Sequence, residues 1–130
     1  MHAVQPAGPP PPPQVAQRDF FTRLVPLLDS GDDVGMVLSP QLFYNVNLKA
    51  DIFNHANTHF WNYMQIGYDA IGLISCTGTN FLVRSAALVD VGGSPEYTLT
   101  EDYALGMELK MEEWQCRYVN EPLAIGEVRC

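Results

Sequence analysis

Positive charge is scarce in this 130-residue chain: seven Lys and Arg stand against fifteen Asp and Glu, a net charge of -8. Such a chain offers no basic patch for phosphate backbones or anionic lipid, which sets nucleic acid aside as a partner. Long apolar runs are missing too. None approaches the ~20 residues that cross a bilayer, and the longest candidates, Val34–Leu38 and Ala70–Ile74, have strand length. Residues 1–17 carry neither a basic n-region nor an apolar h-region, so no signal peptide is expected. Taken by itself the sequence reads as soluble and cytoplasmic. Cysteine is sparse: Cys76, Cys116 and Cys130 share no short spacing and cannot all pair. That argues against a disulfide scaffold or a zinc knuckle and fits a reducing compartment. There is no phosphate loop of the G-x-G-x-x-G or G-x-x-x-x-G-K-S type and no G-x-S-x-G elbow, so no local motif carries nucleotide chemistry.

What remains is a chain 47% hydrophobic, enough for one packed core. Residues 1–17 include five consecutive prolines, Pro9–Pro13. Proline fixes φ and lacks the backbone donor, so a disordered, extended tail is expected there. Such a run also suits aromatic-lined grooves of the SH3 or EVH1 type. From Arg18 the pattern changes. Asp19 is placed to cap a helix bearing Phe20, Phe21, Leu24, Leu27 and Leu28, with Pro26 kinking or stopping it. Val34–Leu38 reads as a buried strand, extended through Gln41–Phe43. Asp51–Tyr63 reads as a helix anchored by Phe53, Phe60 and Trp61, and Gly67–Ile74 as a loop or short strand. Asn80–Val83 is a strand. Ala86–Val91 is a short helix ended by Gly92 and Gly93, Thr98–Glu113 a longer one, and Cys116–Val119 and Leu123–Ile125 are extended. The alternation indicates α/β packing, with a mixed sheet flanked by helices.

Thr98-Leu99-Thr100-Glu101-Asp102 is the most informative stretch. Thr98 with Glu101 fits a capping box, and Thr100 is a competing cap. Either choice puts Asp102 in the first helical turn, where the positive end of the helix dipole complements a carboxylate. At the mouth of a cleft it would be placed to take a proton from a sugar hydroxyl, but dipole complementation alone also accounts for it. The helix carries two apolar arcs, Ala104/Met107/Met111 and Leu105/Leu109, with Glu101, Glu108 and Glu112 between them. Either the glutamates cap and pair, or the helix meets more than one partner. Cys76-Thr77-Gly78-Thr79-Asn80 is a turn of small and hydroxyl-bearing residues, suited to close backbone approach and to carbohydrate, or simply a tight entry to a strand. His55 and His59 have the spacing of two helical metal ligands, but Ala56 stands where a zincin needs Glu and no third ligand is evident. A polar helix face is the expectation there, and a solvated turn for Asp32-Asp33.

Together these segments resemble the cellulose synthase branch of the family-2 glycosyltransferases. Val37-Leu38-Ser39-Pro40-Gln41-Leu42-Phe43 is similar to its V-Q-T-P-Q-x-F strand. Cys76–Arg84 is similar to its C-G-T-N segment, which runs through two apolar residues to an Arg. Val91-Gly92-Gly93 and Thr100-Glu101-Asp102 match its G-G-F and T-E-D blocks. Residues 106–122 follow L-x-x-x-G-W-x-x-x-Y-x-x-x-P-L-A. The four segments stand in family order, and the resemblance covers residues 18–127.

The resemblance implies the C-terminal half of a GT-A-like domain over residues 18–130. It implies inverting transfer from a nucleotide sugar, UDP-glucose above all, to a growing β-glycan such as cellulose. Asp102 matches the general base. Cys76, Thr77, Gly78, Thr79 and Asn80 match the acceptor side, and Thr100 and Glu101 would orient the base. Family members carry an earlier donor-binding half, with a uridine-binding aspartate and a D-x-D strand for Mg or Mn and the diphosphate. Here the residues before Arg18 are proline-rich. The Q-x-x-R-W motif and the transmembrane helices of the family are likewise not in this sequence. The expectation is therefore a fragment, membrane-bound at the cytosolic face within a complete enzyme. By itself it would hold no cofactor or metal, be inactive, and be marginally stable or self-associating. A non-catalytic interaction module, a chitin- or hyaluronan-synthase-like enzyme and a soluble family-2 transferase are the alternatives.

Overall fold

The computed structural model describes residues 15–47, 49–52, 57–77 and 80–126. The first strand, β1 (Val15–Ala16), lies inside the stretch expected to be a tail. It pairs antiparallel with β6 (Ala124–Gly126), and Gln17 N–H adds a bond of 2.8 Å to Leu123 O. The folded part therefore includes Val15, three residues before Arg18, while the proline run lies outside the described residues.

Helix α1 (Phe20–Leu28) follows, burying Phe20 and Leu24. Asp19 occupies its N-cap but makes no side-chain cap bond and has helical dihedrals, so the expected capping contact is not made. Pro26 sits inside the helix, which ends two residues later; a proline so near the C-terminus removes one ladder bond without breaking a long element.

Strand β2 (Val34–Leu38) is buried throughout. It lies between β4 (Phe81–Val83), antiparallel, and β5 (Gln115–Tyr118), parallel. Strict alternation would put Val34, Met36 and Leu38 on one face. The register shifts between Val34 and Met36, so Val34 joins Val37 in a cluster with Phe20, Leu24 and Leu123. Met36 and Leu38 join the opposite cluster, with Trp61, Ile74, Leu105, Leu109 and Tyr118. Both faces of this sheet are thus covered. Each fully buried Leu or Met contributes about 1.5–3 kcal/mol.

The expected single mixed sheet is two sheets. β3 (Leu42–Phe43) does not prolong β2; it pairs parallel with β6 in a second three-stranded sheet, in the order β1-β6-β3. The Ser39-Pro40 step turns the chain from one sheet into the other, since Pro40 cannot donate a ladder bond. Each sheet contains one parallel and one antiparallel pair, so the α/β, mixed-sheet reading holds.

The middle of the chain departs most from expectation. Asp51 and Ile52 lie in a turn, and Phe53–Ala56, with His55, lie outside the described residues. Helix is present from Thr58, within the expected span, and a π-helical turn over Phe60–Met64 carries it on into α2 (Gln65–Ala70), where a loop or strand was expected from Gly67. Trp61 is the buried anchor, stacked on Tyr118 with ring centroids 6.2 Å apart. Helix α3 (Ser85–Asp90) ends on Gly92, whose φ is +80°, as the sequence predicts. Helix α4 (Glu101–Met111) ends with the same geometry: Glu113 N–H bonds Lys110 O at 3.1 Å and Trp114 N–H bonds Leu109 O at 2.9 Å. Its left-handed residue is Glu113, φ +65°, where the family pattern has glycine.

Arg84 closes the α1–β2 loop. Its guanidinium donates to Leu28 O at 2.5 Å, at the end of α1, to Gly31 O at 3.2 Å in the loop, and to Val34 O at 2.9 Å at the start of β2.

Candidate functional site

In open α/β sheets ligands bind beyond the carboxyl ends of the strands. Here β2 and β5 run parallel and end at Leu38 and Tyr118. β4 runs the other way, so its first residue, Phe81, faces Leu38 and brings Asn80 to the same edge. Helix α4 reverses through Glu112–Trp114 directly into β5, and Leu109 and Cys116 share one core cluster. Helix and strand therefore run antiparallel, and the first turn of α4 returns to the carboxyl edge. The topology collects Ser39–Gln41, Asn80, Asn120 and the Thr100-Glu101-Asp102 turn at one end of the sheet.

Local contacts fix these groups. Asn80 is left-handed, φ +58°. Its carbonyl accepts from Ser39 N–H at 2.9 Å and Ser39 Oγ at 3.2 Å, and its Nδ2 donates to Pro40 O at 3.3 Å. Asn is among the few side chains that tolerate that dihedral. Cys76 is buried, and Thr77 Oγ1 is buried without a hydrogen-bond partner among the described residues. Gly78 and Thr79 lie outside the described residues.

The start of α4 corrects the capping-box expectation. Thr100 is the N-cap and its side chain makes no cap bond. Thr98 Oγ1 instead accepts from Thr100 N–H at 3.3 Å, so the helix begins at Glu101, three residues later than expected. Asp102 is in the first turn, half-buried, with Oδ1 accepting Tyr103 N–H at 2.8 Å. Glu101 is exposed. Four residues on, a β-carbon on Gly106 would meet Ile74 O at 2.8 Å and Cys76 N at 3.5 Å. Positions i and i+4 share a helix face. Asp102 therefore lies on the face of α4 that packs against the extended segment Ile74–Cys76. The two apolar arcs of α4 also separate: Leu105 and Leu109 are buried, while Met107 and Met111 are exposed beside Tyr103.

Beside these groups lies a cleft of about 390 Å³, lined by Pro40, Gln41, Phe43, Trp61, Asn62 and Asn120 among others. Sequence reasoning did not assign it. Its signals were present in Pro40-Gln41 and in the Tyr118–Pro122 pattern, but Trp61 and Asn62 reach it only through a helix whose true extent is set by tertiary packing. Burial pushes the Cys116 thiol up to about 12, with Cys76 as the next cause, which marks Cys116 as packing rather than as a nucleophile. Asp33 lies at the other end of the sheet, with its carboxylate accepting from Gln115 Nε2 at 2.7 Å. His59 is exposed against Tyr63. Among the described residues no three His, Cys, Asp or Glu side chains gather as metal ligands, and no helix is long and apolar enough to cross a membrane.

Residues 14–129 match glycosyl transferase family group 2, and the chain belongs to that family. Its relatives place it on the cellulose-synthase-like side. It is 34% identical over 110 residues to the catalytic subunit of a UDP-forming cellulose synthase from Dictyostelium discoideum, covering 83% of this chain and 10% of that protein. It is 27% identical over 108 residues to the probable glucomannan 4-beta-mannosyltransferase 11 of Oryza sativa subsp. japonica, covering 81% of this chain and 19% of that protein. Cellulose synthase 2 of Novacetimonas hansenii is 23% identical over 119 residues, covering 86% of this chain and 7% of that protein. The chain thus spans a small part of the length of each.

Proposed function

We propose that this chain supplies the acceptor edge and the catalytic base of a processive, inverting β-glycan synthase, with glucose from UDP-glucose as the transferred sugar. The observation that carries the reading is the meeting of two segments. Gly106, one helical turn on from Asp102, packs against Ile74 and Cys76, at the start of the segment that resembles the family's acceptor side.

In the reaction, the terminal hydroxyl of the glycan attacks C1 of the donor sugar. A new C1–O bond forms as the C1–O bond to the diphosphate breaks, and UDP leaves with that electron pair. The hydroxyl proton passes to Oδ2 of Asp102, the oxygen opposite the one that holds Tyr103 N–H. Cys76, Thr77, Gly78, Thr79 and Asn80 bracket the sugar. The buried Thr77 hydroxyl gains a partner when a glycan hydroxyl arrives, which relieves an unmet bond of about 1–3 kcal/mol. Thr100 and Glu101 set the start of the base helix.

Donor binding, the Mg or Mn ion on the diphosphate and membrane attachment belong to other parts of a complete enzyme. Charge matches this division: an acidic chain fits a neutral glycan better than a nucleotide diphosphate.

The test is acceptor binding without transfer. Titrating cellohexaose into the ¹⁵N-labelled chain is expected to shift the amides of Cys76, Thr77, Asn80, Asp102 and Tyr103. The chain with radiolabelled UDP-glucose is expected to make no alkali-insoluble glucan. Shifts confined to the opposite end, at Asp33 and Gln115, would overturn the reading.

A further inference from the structure

Gln65 has no solvent-exposed surface, which is unusual for a glutamine, and both ends of its amide bond one residue. Nε2 donates to Ser75 O at 2.7 Å, and Oε1 accepts from Ser75 N–H at 3.2 Å. The side chain thus grips the backbone of Ser75 as a neighbouring strand would, at a place where no strand among the described residues pairs with it. Ser75 stands between Ile74 and Cys76, the two residues that Gly106 approaches from the other side. Leu73 N–H bonds Tyr68 O at 3.0 Å, so the segment is tied to α2 at a second point.

We infer that Gln65 is a positioning residue for the acceptor site: it clamps residues 74–76 against Gly106 of α4 and so holds Cys76 and Thr77 at a fixed place relative to Asp102. The role rests on the acceptor reading above. A buried amide is a poor choice for filling space, because an apolar side chain of the same size would pack there with no polar group to satisfy. Its two bonds deliver register: slipping the segment by one residue would break both. Ser75 contributes only its backbone to the clamp, so the side chain at 75 is replaceable while that at 65 is not.

The experiment is the cellohexaose titration of the full chain, run on variants. Gln65→Met keeps the length of the side chain and removes both bonds. It is expected to weaken cellohexaose binding about tenfold or more, the effect of about 1.4 kcal/mol. It should also speed hydrogen exchange at the Ser75 amide, with amide shifts in the distant cluster of Leu24, Val37 and Leu123 unchanged. Gln65→Glu, which keeps the oxygen facing Ser75 N–H and loses the donor to Ser75 O, is the second variant should the methionine form fail to fold, and it too should bind less tightly. Ser75→Ala should bind as the wild type does. Wild-type affinity in both Gln65 variants, with the Ser75 amide exchanging faster, would overturn the positioning role and leave the acceptor reading intact. Failure of the wild-type chain to bind cellohexaose would instead overturn the acceptor reading, and this role with it.

Discussion

The hydrogen of Gly106 points at the carbonyl of Ile74: a β-carbon in its place would stand 2.8 Å from that oxygen. Alanine is the better helix former by about 1 kcal/mol, so glycine is held here by contact and not by propensity. Overpacking against a backbone carbonyl costs about 1–3 kcal/mol. Gly106→Ala is therefore expected to lower stability despite its helical preference and to weaken cellohexaose binding by displacing α4. Thermal unfolding and the titration are the two readouts; a variant more stable than wild type with equal affinity would contradict the contact.

Glu113 gives the opposite sign. It holds the left-handed position that ends α4, where a side chain costs about 1–2 kcal/mol relative to glycine. Glu113→Gly should stabilise the chain by about 1 kcal/mol. Urea denaturation is the measurement, and a drop in midpoint would show that the Glu113 side chain carries a compensating interaction.

Arg84 belongs to the segment that resembles the family's C-G-T-N motif, yet its guanidinium is engaged by three backbone carbonyls of the α1–β2 loop. Removing a charged donor to buried carbonyls costs about 2–3 kcal/mol. Arg84→Ala is expected to lose that much stability. Arg84→Lys should lose most of it, since one ammonium does not reproduce the planar fork. Equal denaturation midpoints for wild type and alanine would contradict this.

Arg23 and Glu121 join α1 to the segment before β6. The hydrogen bond from Arg23 holds the Glu121 carboxyl below its ordinary 4.5, while partial desolvation opposes the shift. A carboxyl with a lowered folded value contributes stability that is fully present above the unfolded value and is lost as pH falls through the folded one. The loss should therefore begin below about 4.5 and should vanish in Arg23→Gln. Carboxyl ¹³C titration is the check, with the Glu121 midpoint expected to rise toward its ordinary value in that variant. The pair is exposed, so its effect on the global midpoint is small.

How much of this was legible beforehand depended on what fixed each element. β2 follows from its apolar run and α3 from its glycine stop, which are local signals, and α4 from its acidic first turn and apolar spacing. The helix was legible as far as Tyr63, but its continuation through α2 was not, because Gly67 and the apolar Ile71–Ile74 run read as loop and strand. What decides it is tertiary: Trp61 against Tyr118, and Gln65 on Ser75. The split into two sheets turned on the chain direction after Pro40, which period-2 patterning does not encode. At the site, Asp102 and Asn80 could be named from motifs. Their shared edge required the strand directions, and the Gln65 clamp had no sequence signal beyond a polar residue on a helix. Thr98 shows the limit of a motif: the capping-box spacing was present, and the hydroxyl went to Thr100 N–H instead.

The base assignment is tested most directly by the rate of glucan synthesis from UDP-glucose in membranes carrying a cellulose-synthase-like enzyme in which these residues replace the matching segment, wild type against Asp102→Asn. Asparagine keeps the oxygen that accepts Tyr103 N–H, so the start of α4 should survive the change. Loss of a general base costs about 10²–10⁴-fold in rate, and a fall of that size with cellohexaose affinity of the chain unchanged is the expected result. A rate within about threefold of wild type, far less than removal of a general base costs, would contradict the assignment of Asp102 as the base.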